Sequence, residues 1–138
     1  MNIKTFLFLA AAAVCIFFFT GCRPAPKTTG AVTVDSSSSG GEVTVPLDQI
    51  LIVQLQSNPT TGYSWGVLEC DLAVLQPLGD PEYVASQPGK QIAGSGGHEI
   101  FRFQPQSTGE TTLKLGYRRP WETDVEPVEF FEINVTVE

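Results

Sequence analysis

The stretch QILIVQLQSNPTTGYSW, residues 49–65, contains two candidate strands joined by a turn. Gln49–Leu55 is rich in β-branched residues and apolar on both faces, which is typical of a central β-strand. Pro59 and Gly62 then indicate a tight turn, and a second strand begins near Tyr63. The stretch therefore predicts a strand, a stiff loop and another strand, with two aromatic residues directly after the turn.

Alternation of apolar and polar residues recurs on both sides of this stretch, whereas apolar residues at helical spacing are absent. The other candidate strands are Glu42–Val45, Tyr63–Leu68, Asp71–Leu78 (a third strand or a connecting strand), His98–Phe103, Thr111–Tyr117 and Val128–Val137. Turns rich in Gly and Pro separate them. About seven strands in roughly 100 residues predict an all-β, immunoglobulin-like antiparallel sandwich.

The start of the chain differs in composition from the rest. Residues 1–21 combine a basic side chain with an apolar run from Phe6 to Phe19. This run is shorter than the ~20 residues that span a bilayer, and the pattern is typical of a secretory signal. Residues 22–41 are rich in Pro, Ser and Gly and predict a flexible tether. Residues 42–138 are the right size for one small domain.

The signal ends in Phe19-Thr20-Gly21-Cys22, which resembles the lipobox of bacterial lipoproteins. The resemblance implies cleavage before Cys22, lipid on its sulfur, and a domain held at a membrane of the cell envelope, either periplasmic or surface-facing. The alternative is an ordinary signal peptide followed by an incidental Cys.

The cysteines predict a fold without a disulfide. Cys15 leaves with the signal and Cys22 carries the lipid, so Cys70 has no partner and is interpreted as a small core residue. A nucleophilic Cys needs a neighbouring base, and the only histidine is His98. Since metal-ligand spacing is also absent, we expect neither an enzyme nor a bound cofactor.

Charge excludes another class of function. Without the signal, the chain has 7 basic and 15 acidic side chains, a net charge of −8. Such an acidic domain is unsuited to nucleic acid, whose binding depends on phosphate contacts. The acidic group Glu122, Asp124, Glu126 and Glu129 lacks the pattern of an EF-hand calcium loop and is interpreted as a solvated edge.

Three loops of unusual composition fall at the same end of the predicted sandwich. With strands labelled A to G from Glu42, they are the B–C, D–E and F–G loops, and alternate connections of an antiparallel sandwich share an end. Taken singly, each has a plain explanation as a turn, a connector or a stray aromatic. Their coincidence predicts a composite binding surface.

The motifs NPTTGY (Asn58–Tyr63), GSGG (Gly94–Gly97) and YRRPW (Tyr117–Trp121), in this order and spacing, resemble the chagasin family of cysteine-peptidase inhibitors. The resemblance implies a monomeric sandwich whose first loop enters the cleft of a papain-like peptidase while the other two flank it. The implied peptidase-binding residues are Asn58, Pro59, Thr60, Thr61, Gly62, Tyr63, Gly94, Ser95, Gly96, Gly97, Arg119, Pro120 and Trp121.

The residue types agree with this interpretation. Pro59 and Gly62 pre-order the loop, which reduces the entropy lost on binding. Trp121 is the residue type enriched in binding hot spots and is the predicted anchor, whereas Tyr63, Trp65 and Tyr117 are expected to support the loops from below. The main alternative is a non-inhibitory immunoglobulin-like scaffold or adhesion module, which leaves the three loops unexplained.

Overall fold

Two β-sheets pack face to face in the computed structural model, which describes residues 29–87, 89 and 94–138. Within these residues the strands are β1 (Gly30–Asp35), β2 (Glu42–Val45), β3 (Gln49–Ser57), β4 (Ser64–Glu69), β5 (Leu75–Pro77), β6 (Glu82–Ala85), β7 (Gly97–Pro105), β8 (Gly109–Arg118) and β9 (Glu129–Val137). Two 3-10 turns, Ser36–Ser38 and Pro59–Thr61, complete the regular structure. The prediction of an all-β sandwich is confirmed.

The strand order is β1-β3-β7-β5 in one sheet, where β6 also pairs with β7, and β2-β9-β8-β4 in the other. Most neighbouring strands are antiparallel, as predicted. The exceptions are the two N-terminal strands, because β1 runs parallel to β3 and β2 runs parallel to β9. One segment of chain therefore forms an edge of each sheet in turn.

The core lies between the sheets and follows the predicted alternation. Inward-facing residues such as Leu51 and Val53 on β3 and Leu113 and Leu115 on β8 are fully buried. Each buried side chain of this size contributes roughly 1.5–3 kcal/mol of transfer free energy. Among the described residues Cys70 is a free thiol, so packing rather than cross-linking holds the sheets together.

The prediction of a flexible tether over residues 22–41 is wrong for the C-terminal part of that range. Gly30–Asp35 forms β1, pairing with β3 from Gly30 opposite Gln49 to Asp35 opposite Gln54. Val34 of this strand is buried in the core. The folded domain thus begins about a dozen residues before the predicted Glu42, and residues 22–28 lie outside the described residues.

Asp35 ends this added strand and caps the turn after it. Its carboxylate accepts hydrogen bonds from the Ser37 hydroxyl at 2.5 Å and the Ser37 N–H at 2.9 Å. These bonds favour the charged form and hold the pKa of Asp35 below its ordinary value. The chain then crosses to the other sheet, where the Gly40 N–H donates to the Glu132 carbonyl.

Two strand predictions also need correction. Asp71–Leu78 is a strand only over Leu75–Pro77, because Asp71 initiates a turn in which its carboxylate accepts from the Ala73 N–H at 2.9 Å. The short strand β6 was not predicted, and its side chains are mostly exposed on the edge of the sheet.

Within the described part of the chain, no helix is long and apolar enough to cross a membrane. The predicted signal peptide, residues 1–21, and the predicted lipidation site Cys22 lie outside the described residues.

Candidate functional site

Strand register places the three predicted loops at one end of the sandwich. Ser57, the last residue of β3, pairs with Gly97, the first residue of β7. On the other sheet, Ser64 at the start of β4 pairs with Arg118 at the end of β8. The first loop (Asn58–Tyr63), the second loop (Gly94–Gly97) and the third loop (Arg119–Glu122) therefore emerge together, as the sequence predicted.

The first loop is a 3-10 turn closed by its own hydrogen bonds. The Gly62 N–H donates to the Pro59 carbonyl at 3.0 Å, and Gly62 itself has φ of 80°, a left-handed conformation that favours glycine. The Thr60 hydroxyl donates to the Asn58 side-chain oxygen at 2.5 Å, and the Thr61 hydroxyl donates to the Asn58 carbonyl at 2.7 Å. The loop is thus ordered before it meets any partner.

Three aromatic rings support the first loop from below. The Tyr117 ring lies between Tyr63 and Trp65, with centroid separations of 5.5 and 5.1 Å. Its hydroxyl accepts a hydrogen bond from the Asn58 N–H at 3.0 Å, and the Trp65 indole N–H donates to the Gln56 carbonyl at 2.8 Å. The three rings therefore pack together at the base of the first loop, the position expected for supporting residues.

The third loop packs directly on the first. The Trp121 ring lies so close to Gly62 that a methyl group on Gly62 would be 2.8 Å from the ring carbon Cη2. The Arg119 guanidinium stands 4.7 Å above the centroid of the Tyr63 ring, a cation–π geometry, and its Nη1 is 3.3 Å from Glu122 Oε1. The two loops therefore form one continuous ridge.

The second loop meets the rest of the site at its C-terminal residue. Gly97 is buried, and a side chain there would collide with the Val84 carbonyl of β6 and lie 2.6 Å from the Tyr83 hydroxyl. The Gly96 carbonyl accepts from the Ser86 N–H at 3.1 Å. Gly97 is thus required by internal packing, so surface for a partner is available only over Gly94–Gly96.

Exposure divides the predicted contact residues into three groups, of which the buried group is Gly97 alone. The exposed residues are Pro59, Thr60, Thr61, Gly94, Pro120 and Trp121. The half-buried residues are Asn58, Gly62, Tyr63, Ser95, Gly96 and Arg119. With an exposed fraction of 68%, Trp121 presents the largest apolar side chain of this end to solvent.

Sequence analysis missed one residue of this region, the buried Glu99. Its carboxylate accepts hydrogen bonds from the Ser57 hydroxyl and, at 3.1 Å, from the Trp65 N–H. The sequence pattern indicates the burial of Glu99, because alternation in β7 places it on the same face as Phe101 and Phe103, which point into the core. A charged residue on an apolar face indicates a specific set of hydrogen-bond partners.

Among the described residues, the free thiol lies away from the three loops. Cys70 follows β4 at the opposite end, where its thiol donates to the Leu75 carbonyl at 3.2 Å. Burial, helped by the charge of Asp71, raises the pKa of the Cys70 thiol and disfavours the reactive thiolate. Over residues 29–87, 89 and 94–138, no cluster of His, Cys, Asp or Glu side chains is arranged to hold a metal ion.

Comparison with known proteins agrees with this geometry. The family model described as chagasin family peptidase inhibitor I42 matches residues 44–135, a segment that contains all three loops. The chain belongs to the chagasin family. This confirms the resemblance found in the sequence, and because the family consists of peptidase inhibitors, it also confirms that the chain is an inhibitor and not an enzyme.

Individual relatives of this chagasin-family chain come from protozoa. Amoebiasin-1 of Entamoeba histolytica is 35% identical over 91 residues, which cover 66% of this chain and 83% of amoebiasin-1. Chagasin of Trypanosoma cruzi is 29% identical over 92 residues, 64% of this chain and 81% of chagasin. The crystal structure of a cysteine protease inhibitor from Entamoeba histolytica shares the fold, with a TM-score of 0.66 at 23% identity over 79% of this chain and 96% of that one.

Proposed function

We propose that this chagasin-family chain is a reversible, tight-binding inhibitor of papain-like cysteine peptidases. The first loop enters the active-site cleft of the peptidase, and the second and third loops lie against its two sides. The observation that carries the proposal is the ridge formed where Trp121 packs on Gly62 and Arg119 stands over Tyr63. The target class rests on the resemblance of the three loop motifs to those of the family.

The ridge suits an inhibitor because it is ordered in the free protein. Hydrogen bonds from Thr60, Thr61 and Gly62 close the first loop internally, so little backbone freedom remains to be lost on binding. A 3-10 turn ending in a left-handed residue also differs from the extended backbone of a cleavable peptide. Tight binding without cleavage follows from these two properties.

Trp121 supplies the principal anchor of the proposed complex. It presents a large apolar surface that a peptidase wall can cover, and tryptophan is among the residue types whose truncation at interfaces costs most. Its contact with Gly62 holds the ring beside the wedge. We expect one inhibitor molecule, acting as a monomer, to block one peptidase.

The deciding experiment is a titration of papain activity with the purified full-length chain and two matched variants. Thr61→Arg adds a long charged side chain at the exposed tip of the first loop, whereas Thr44→Arg adds the same side chain at an exposed position of β2, away from the loops. Stoichiometric inhibition is expected from the wild type and from Thr44→Arg, with strong loss in Thr61→Arg. The inhibitor should be recovered uncut.

Two other results of this titration would contradict the proposal. If the folded wild-type chain leaves papain and several related peptidases fully active, the proposed target class is wrong. Equal inhibition by Thr61→Arg and Thr44→Arg would move the binding surface away from the first loop. The chain would then be treated as a scaffold or adhesion module of the cell envelope.

We further propose that lipid on Cys22 anchors the inhibitor to a membrane of the cell envelope. The support is the sequence Phe19-Thr20-Gly21-Cys22 after a short apolar run. Incorporation of a labelled fatty acid into the wild-type chain, and its loss in Cys22→Ser, is the expected result. Unlabelled wild-type protein recovered free of the membrane fraction would contradict the anchor.

A further inference from the structure

Glu99 has a feature that the proposed contact surface does not explain. Its side chain is buried beneath the first loop, with 6% of the residue exposed, and it lies where a peptidase bound to the ridge would not reach it. Burying a carboxylate is unfavourable unless its oxygens receive hydrogen bonds. The partners of those oxygens therefore indicate what the residue does.

The two oxygens of Glu99 bind the two ends of the first loop. Oε1 accepts from the hydroxyl of Ser57, the residue directly before the loop, and Oε2 accepts at 3.1 Å from the main-chain N–H of Trp65, two residues after the loop. Ser57 belongs to one sheet and Trp65 to the other. One rigid carboxylate thus fixes the separation of the two strands from which the loop projects.

Glu99 also connects this arrangement to the second loop. It lies on β7, two residues after Gly97, whose pairing with Ser57 starts the β3–β7 ladder. If the carboxylate shifted, the base of the first loop would move relative to β7, the strand that follows the second loop. Because both loops are needed on the same peptidase, their relative placement matters for binding.

The chemistry of the site favours a carboxylate over an apolar residue. The strand β4 lies at the edge of its sheet, and the Trp65 N–H donates to Glu99 instead of to another strand. The two oxygens of a carboxylate can each accept a hydrogen bond, which matches two donors that converge from opposite sheets. An apolar side chain would leave both donors buried without partners.

We propose that Glu99 is a positioning residue for inhibition, which holds the two ends of the first loop at the separation and orientation that the peptidase cleft accepts. The inference rests on the proposed function, but it makes a separate statement about the free protein. Without Glu99, the binding-competent arrangement of the loop becomes a fraction of a wider ensemble. The apparent dissociation constant then equals the intrinsic dissociation constant divided by that fraction, so the apparent affinity falls.

The test compares Glu99→Leu with Glu99→Gln. Leucine removes both acceptors at similar volume, and inhibition is expected to weaken at least about 10-fold. Glutamine keeps the shape, its oxygen accepts from the Trp65 N–H, and its N–H group donates to the Ser57 hydroxyl oxygen. Inhibition by Glu99→Gln is therefore expected within about 3-fold of wild type. Equal loss in both variants would overturn the proposal.

The association and dissociation rate constants of the inhibitor with papain distinguish three roles for Glu99: positioning of the loop, direct contact with the peptidase, and general stabilisation of the fold. Since no peptidase contact is removed, the loss in Glu99→Leu is expected in the association rate, with the dissociation rate nearly unchanged. Val45→Ala is the control, because Val45 is fully buried at the end of β2 away from the loops. This variant should lose thermal stability and keep both rate constants.

Hydrogen exchange in the free protein tests the proposal independently of any peptidase. The Thr61 and Gly62 N–H groups donate to carbonyls inside the first loop and are expected to exchange faster in Glu99→Leu than in wild type or Val45→Ala. Unchanged exchange in Glu99→Leu overturns the positioning role, even if the chain inhibits papain. Faster exchange in a chain that inhibits no peptidase shows that Glu99 orders the first loop in the free protein, and it rejects the proposed target class.

Discussion

Trp65 and Trp121 lie at the same end of the molecule in opposite environments. Trp65 is buried, packs against Tyr117 with the two rings tilted by 35°, and donates a hydrogen bond from its indole N–H to the Gln56 carbonyl. Trp121 is 68% exposed and contacts the first loop at Gly62. The base of the site, around Trp65, therefore belongs to the fold, while the ridge around Trp121 is available to a partner.

Stability and binding are therefore separable at this end of the sandwich. Base residues have many interior partners, so changing them should lower the free energy of unfolding. Exposed side chains of the ridge have few interior partners, so removing them should weaken inhibition and leave the free energy of unfolding nearly unaffected. Substitutions in the base and in the ridge test this division.

Trp65→Ala should produce the largest effect, a loss of about 3–5 kcal/mol in the free energy of unfolding. The ring is buried, so its removal leaves a cavity and an unpaired Gln56 carbonyl. Urea denaturation followed by circular dichroism measures the change. Trp65→Phe is the control that keeps an aromatic ring and should lose much less. An unchanged urea midpoint in Trp65→Ala would remove Trp65 from the base.

Trp121→Ala should weaken inhibition of papain by about 2 kcal/mol or more, which corresponds to roughly 30-fold. Since the side chain is mostly exposed, the free energy of unfolding should change by less than about 0.5 kcal/mol. Inhibition constants and urea midpoints of the same preparations provide both numbers. A large fall in stability would show that the division between base and ridge is wrong.

Gly62→Ala tests both properties at once, because Gly62 is the residue of the first loop on which Trp121 of the third loop packs. An alanine in the left-handed conformation costs about 1–2 kcal/mol, and its methyl group would also displace the Trp121 ring. Gly40→Ala is a matched control with the same φ of 80° and no atom within 4 Å of the added methyl. Both variants should lose stability, but only Gly62→Ala should also weaken inhibition.

Glu122→Gln should produce the smallest effect. It removes the charge that pairs with Arg119 at 3.3 Å, and both side chains are more than 30% exposed. Such pairs contribute about 0–1 kcal/mol and are screened by salt. Inhibition measured at low and high ionic strength should differ only slightly between this variant and wild type. A tenfold effect at low salt would indicate that the pair contacts the peptidase directly.

Much of the fold could be predicted from the sequence, since β3 and β8 have clear local patterns. The β-branched run of β3 and the alternation of Leu113 and Leu115 in β8 each predict a strand without reference to the rest of the chain. The strand β1 was missed because its few apolar residues are embedded in tether-like sequence. Its stability depends on pairing with β3, which local composition does not reveal.

The candidate site could also be predicted only where its features are local in sequence. The three motifs identified the three loops, and Pro59 and Gly62 predicted a pre-ordered turn that the structure contains. Contact between Trp121 and Gly62 joins residues far apart in the chain, so no local pattern indicates it. Glu99 was detectable in principle, because a charged residue interrupts the apolar face of β7.

Because β1 pairs in parallel with β3, the start of β1 lies at the end of the domain opposite the first loop. The chain enters β1 beside Gln49, with the Thr29 N–H donating to the Asp48 carbonyl, and the first loop begins after Ser57 at the far end of β3, roughly 26 Å away. Whatever is joined before Thr29, whether a lipid, a tag or a sensor surface, therefore attaches at the pole opposite the ridge. Immobilisation through the N-terminus should leave the whole ridge free to capture a peptidase from solution.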